Sequence, residues 1–116
     1  MPGLNAPVTA QFEPGPAPSR RSLYLDLSTA QADRLLVGGL AGRDIEALAV
    51  VYDRYASDVM GELLALGHDQ ATTEAVMAEV FCRLWRIAPW LDPRRVTIRA
   101  WLLLTARWLV DCRHRA

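Results

Sequence analysis

Tryptophan and arginine are the residues here whose types and spacing could do chemistry, and they crowd into one part of the chain. All four tryptophans (Trp85, Trp90, Trp101, Trp108) and eight of the thirteen arginines lie between Thr72 and Ala116. Guanidinium groups pair with phosphate oxygens and indole faces accept unstacked bases, a combination suited to single-stranded nucleic acid. Trp and Leu at helical spacing also build protein cores, and both uses are open at this point. From Arg83 onward eight arginines stand against Asp92 and Asp111, net plus six, whereas the first 82 residues carry five arginines and eleven acids, net minus six. The formal charge of zero therefore conceals a basic C-terminal part fit for a polyanion and an acidic remainder.

Other chemistries find little support. There is no Gly-rich phosphate loop, no nucleophile with a base in view and no pair of acids in an apolar setting, so an enzyme is not expected. Cys82 and Cys112 fall inside predicted helices, outside CxxC or Cys/His ligand spacings, and read as small buried or half-buried thiols. His68 sits in a predicted turn and His114 near the C-terminus, neither with a ligand partner at sequence spacing, so no metal or cofactor is expected. No apolar run approaches the roughly eighteen residues of a membrane span, and no secretory signal is apparent. The expectation is a cytoplasmic protein with no membrane partner.

The elements that must position the Trp and Arg residues are helical. With 116 residues the chain suits one domain. Residues 1–27 hold five of the seven prolines and read as a flexible tail, with Leu23, Tyr24 and Leu25 able to dock on the domain. Residues 28–116 read as the domain itself. Ser28 or Thr29 caps a helix over 30–40, with Leu35, Leu36 and Leu40 inward and Gly42 ending it. Asp44 caps a second, over 45–66, with Ile45, Leu48, Tyr52, Tyr55, Val59, Leu63 and Leu66 as its apolar stripe. Its other face carries Glu46, Asp53, Arg54, Asp58 and Glu62, read as solvated.

Thr72 is expected to cap a third helix over 72–88, with Met77, Val80, Phe81, Leu84 and Ile87 inward. Ala75, Ala78, Cys82 and Trp85 form a second stripe flanked by Glu79, Arg83 and Arg86, more apolar surface than one small bundle covers. A partner protein on that face and a fold-over of Trp85 onto the bundle are both compatible with it. The loop 89–97 combines Pro89, Trp90, Asp92, Pro93, Arg94 and Arg95. Thr97 then caps a last helix with Ile98, Trp101, Leu102, Thr105, Leu109 and Cys112 inward, leaving Arg99, Arg107, Arg113 and Arg115 for solvent or phosphate. The fold class is all-α, a compact bundle of about four helices.

Four stretches, Ala41-Gly42-Arg43-Asp44 through Leu48, Tyr52-Asp53-Arg54-Tyr55-Ala56, Glu79-Val80-Phe81-Cys82-Arg83-Leu84-Trp85, and Arg99-Ala100-Trp101-Leu102-Leu103 with Ala106-Arg107, stand in the order and at the gaps of a known family. Over about residues 30–116 the chain resembles region two of the extracytoplasmic-function sigma factors, promoter-specificity subunits of bacterial RNA polymerase. The resemblance implies that Ala78, Glu79, Cys82, Arg83, Trp85 and Arg86 meet the clamp helices of the beta-prime subunit of core RNA polymerase. It further implies that Trp90, Arg94, Arg95, Arg99 and Trp101 contact the non-template single strand of promoter DNA at the minus-ten element, with Arg107 and Arg113 on its backbone. An anti-sigma factor is a further partner of such domains. Ala75 and Ala78 stand where the family usually has an acid and a Gln, and Trp108 where it has a small polar residue. The family's helix-turn-helix for the minus-thirty-five element is not within these 116 residues, which reads as a fragment of a longer product or a one-domain relative.

Overall fold

The computed structural model describes residues 27–115, and the expected Pro-rich tail lies outside the described residues except for Leu27, which packs at the edge of the core. The first helix, α1 (Thr29–Ala41), starts with a reciprocal capping box, in which Ser28 Oγ accepts from the Gln31 amide and Gln31 Oε1 accepts from the Ser28 amide at 3.3 Å. It stops in a Schellman motif: the Asp44 amide donates to the Gly39 carbonyl at 2.8 Å and the Arg43 amide to the Leu40 carbonyl at 3.0 Å. The expected stop at Gly42 is right in place, but Gly42 keeps φ −81° and Arg43 takes the left-handed conformation at φ 64°.

Asp44 caps α2 (Ile45–Ala65), which packs against all the other helices. The expected stripe holds for Tyr55, Val59 and Leu63, whereas Ile45, Tyr52 and Leu66 are exposed and Ala47, Val50 and Val51 are buried in their stead. The N-terminal half of α2 is held between neighbours on a face of small and β-branched residues, and its larger apolar side chains turn outward. On α1 likewise Leu35 is exposed, and Ala32, Leu36, Val37 and Leu40 make the contact. Gly67, at φ 92°, closes α2 in a second Schellman motif, with its own amide on the Leu64 carbonyl and that of His68 on Leu63.

The third helix, α3 (Gln70–Ile87), begins two residues before the expected start, because Asp69 rather than Thr72 is the cap: Asp69 Oδ1 accepts from the Thr72 amide at 2.7 Å. Met77, Val80, Phe81 and Leu84 are buried as expected, joined by Thr73 and Val76. A 3-10 turn (Ala88–Trp90) follows, and Thr97 then caps α4 (Ile98–Arg115), its Oγ1 accepting from the Ala100 amide at 3.0 Å. The buried face of α4 is Ile98, Leu102, Ala106, Leu109 and Val110; Trp101 and Thr105 are half-buried and Cys112 is exposed. Both cysteines, expected to be at least half-buried, are free and exposed. Truncating a fully buried leucine such as Leu36, Leu63 or Leu102 to Ala in such a core costs roughly 2–5 kcal/mol.

One polar group crosses this core. Asp33 on α1 is 2% exposed. Its Oδ1 accepts from the Tyr55 hydroxyl of α2 and its Oδ2 from the Ile98 amide of α4, both at 3.0 Å. A carboxylate at the amino end of α4 also suits the helix dipole. Asp33 thus fixes where α4 begins relative to α1 and α2, and with it the end of the loop that precedes α4.

Candidate nucleic-acid and polymerase interface

The loop between α3 and α4 is a built turn. Asp92, Pro93, Arg94 and Arg95 occupy its four places, with the Arg95 amide donating to the Asp92 carbonyl at 3.0 Å. Asp at the first place and Pro at the second are what a type I turn favours. Asp92 Oδ1 also accepts from the Arg94 amide at 2.9 Å, which holds its carboxyl below the usual carboxylate range. With the backbone so engaged, the side chains of Arg94 and Arg95 are 83% and 88% exposed, in loose ion pairs with Asp92 at 3.4 and 3.7 Å. Trp90, where the 3-10 turn ends, is 81% exposed, so a large apolar ring stands in water four and five residues before the two arginines.

The other expected strand contacts are arranged differently. Arg99 donates to Asp58 at 3.1 Å, and Arg107 makes two hydrogen bonds to Glu62, one of them at 2.9 Å from Nε. Two of the α2 acids read as solvated, Asp58 and Glu62, are thus counter-ions of α4. Trp101 is packed against the core and presents only part of its ring. Arg113 is exposed beside Ala75, Glu79 and Cys112. Fifteen residues separate it from Ile98, about 22 Å along the helix, so the structure does not bring it to the loop.

On α3 the second stripe is open: Ala75, Ala78 and Cys82 are exposed and Trp85 is half-buried. Glu79 pairs with Arg83 at 2.9 Å and with Arg86 at 3.7 Å, and Arg83 lies over the ring of Trp108. Exposed pairs of this kind contribute roughly 0.2–1 kcal/mol each, little enough to be exchanged for a partner's groups. Beside them runs an apolar groove, walled by Ile45 and Leu48 of α2 and by Phe81, Cys82 and Trp85 of α3, with Glu79 and Arg86 at its rim. Tyr52 extends it along α2 and stacks tilted on Phe81 at 5.0 Å.

Several contributors escape a reading by sequence spacing. Asp33, Asp58, Glu62 and Arg43 act across 22 to 65 positions of chain. The one visible signal is that Asp33 falls three, four and seven residues before Leu36, Val37 and Leu40, on the apolar face of α1. His68 and His114, for which sequence spacing offers no partner, stack with ring centroids 5.1 Å apart. No group of three or more metal-ligating side chains occurs among the described residues, and no helix among them is long and apolar enough to cross a membrane.

On its sequence relatives, the chain carries a region of the extracytoplasmic-function branch of the sigma-70 family. It is 33% identical over 72 residues to the ECF RNA polymerase sigma factor SigK of Mycobacterium sp. (strain KMS), a match covering 62% of this chain and 37% of that protein. It is 35% identical over 82 residues to the ECF RNA polymerase sigma factor SigK of Mycolicibacterium vanbaalenii, covering 71% and 41%. The matches thus span about two fifths of the length of these curated relatives. No family model matches the chain, and no solved structure does.

Proposed function

We propose that residues 28–116 act as the region-two module of a cytoplasmic sigma factor, docking on core RNA polymerase and holding the opened minus-ten strand. The observation that carries the strand reading is Trp90 standing exposed just before a turn whose backbone is tied down by Asp92 and whose Arg94 and Arg95 side chains are exposed as well. Extruding a base costs a few kcal/mol of stacking, and an aromatic platform returns roughly 1–3 kcal/mol per base. In this reading the α2–α3 groove with Ala78, Glu79, Cys82, Arg83, Trp85 and Arg86 receives the beta-prime clamp helices. Trp90, Arg94 and Arg95 hold the strand, with Arg99, Trp101, Arg107 and Arg113 as outer contacts.

The pairing of Arg99 and Arg107 with acids of the same chain favours a second reading, a sigma-like module that binds the clamp or an anti-sigma factor without productive DNA contact. Pull-down with core polymerase and band-shift on single-stranded minus-ten oligonucleotides separate the two. Trp85→Ala is expected to weaken polymerase binding selectively, and the pair Arg94→Ala with Arg95→Ala to weaken oligonucleotide binding and flatten its salt dependence. No retention by core enzyme at low salt sinks the first reading. Retention without oligonucleotide affinity selects the second.

A further inference from the structure

The last turn of α3 contains a carbonyl that its own helix cannot satisfy. The Trp85 oxygen would ordinarily accept from the amide four residues on, but that residue is Pro89, which has none. The preceding bond, from the Ala88 amide to the Leu84 carbonyl, is the last one the helix makes there. The missing donor comes from 42 positions away: Arg43 Nη1 donates to the Trp85 oxygen at 2.6 Å. The same guanidinium lies over the Trp85 ring, 5.1 Å from its centroid, and brings positive charge to the carboxyl end of α3.

Arg43 also stands at φ 64°, the place in a Schellman motif where glycine is the usual occupant. A residue with a Cβ is held there against a steric penalty only when its surroundings over-determine it, and such strain gathers where geometry matters for function. The contacts of Arg43 have one common result. Ile45, two residues on, belongs to one wall of the α2–α3 groove and Trp85 to the other, so Arg43 ties the segment leading into one wall to a residue of the other.

We infer that Arg43 is a positioning residue that sets the width of the α2–α3 groove and the pose of Trp85 within it, so that the groove is preformed for the polymerase. The role of the groove rests on the function proposed above; the hold on Trp85 does not. Preorganisation of this kind raises affinity by removing the cost of ordering a side chain on docking.

The test uses the full chain labelled with 5-fluorotryptophan, the Trp85 resonance being assigned by its loss in Trp85→Phe. Arg43→Ala, Arg43→Lys and Arg43→Gly are then compared by fluorine NMR, by melting temperature and by affinity for core polymerase. All three are expected to shift the Trp85 resonance and to weaken polymerase binding tenfold or more while leaving minus-ten oligonucleotide affinity unchanged. Lysine fails because it keeps the charge but not the planar stack. Arg43→Gly is expected to melt above Arg43→Ala, since it relieves the backbone, yet to bind polymerase no better, a split that a merely stabilising role would not produce. An unmoved Trp85 resonance in all three variants, or full polymerase affinity in Arg43→Gly alone, overturns the inference. A shifted resonance with polymerase affinity intact in both Arg43→Ala and Trp85→Ala supports Arg43 as the organiser of Trp85 and overturns the polymerase reading of the groove.

Discussion

At the scale of single residues, the polar contact of most consequence is the one between Asp33, Tyr55 and Ile98, because it is the place where a carboxylate is buried among three helices. Removing it strands a hydroxyl and a helix-terminal amide away from water. Asp33→Ala is expected to cost about 2–4 kcal/mol in urea unfolding, more than either exposed arginine pair on α4. Burial, and after it the charge of Asp33, pushes the Tyr55 hydroxyl above its ordinary value of 10.0. A raised value in the fold means that the protonated phenol is the form the native state prefers. This stabilisation is complete below the unfolded-state pKa of about 10 and is lost as pH rises through the higher folded value. Stability should therefore fall above about pH 10, and Tyr55→Phe should flatten that fall; an unchanged alkaline limb in the variant would separate Tyr55 from it.

At the scale of elements, the four helices were legible in the sequence, while which way two of them face was not. Caps and stops are local chemistry, so Ser28, Asp44 and Thr97 mark helix starts from their own neighbourhoods. Asp69 follows Gly67 and His68 and reads as the end of their turn, while Thr72 is itself a good cap residue, so the sequence points past the true cap. Asp69→Ala is expected to lower the melting temperature, and Thr72→Ala, which leaves the capped amide its partner, to lower it far less. The hydrogen bond from the Thr72 backbone holds the Asp69 carboxyl below its usual 3.8, so its contribution is present above that value and is lost as pH falls through the lower folded one. Orientation is a tertiary property. Leu35, Ile45 and Tyr52 satisfy helical spacing as well as their buried neighbours do, and only the packing of α2 against three helices turns them outward. For the same reason the Trp/Arg turn could be read in advance, its residues being contiguous, whereas Asp58, Glu62 and Arg43 could not.

At the scale of the whole molecule, the separation of charge along the chain is partly undone by folding. The acidic α2 lies beside the basic α4, and Asp58 and Glu62 take up Arg99 and Arg107 just beyond the turn that carries Arg94 and Arg95. The basic surface left for a strand is therefore narrower than the sequence suggests and centred on the turn. An arginine already paired releases fewer counterions when it meets a phosphate, because its charge was compensated before binding. If the module holds a single strand, the acids of α2 restrain that binding. Asp58→Asn combined with Glu62→Gln removes the two compensating charges while keeping side-chain size, and breaking two exposed pairs costs only about 0.2–1 kcal/mol each. If the module holds single-stranded DNA, this double variant should bind a minus-ten oligonucleotide more tightly at low salt. Its log–log salt slope should steepen by about 1.4, two single-strand phosphate contacts' worth. Arg99→Ala with Arg107→Ala in the same background should return the slope to the wild-type value, which ties the change to those two side chains. A slope that stays at the wild-type value in the double variant would mean that the strand does not pass along α4, and would leave Trp90, Arg94 and Arg95 as the whole of the strand-binding surface.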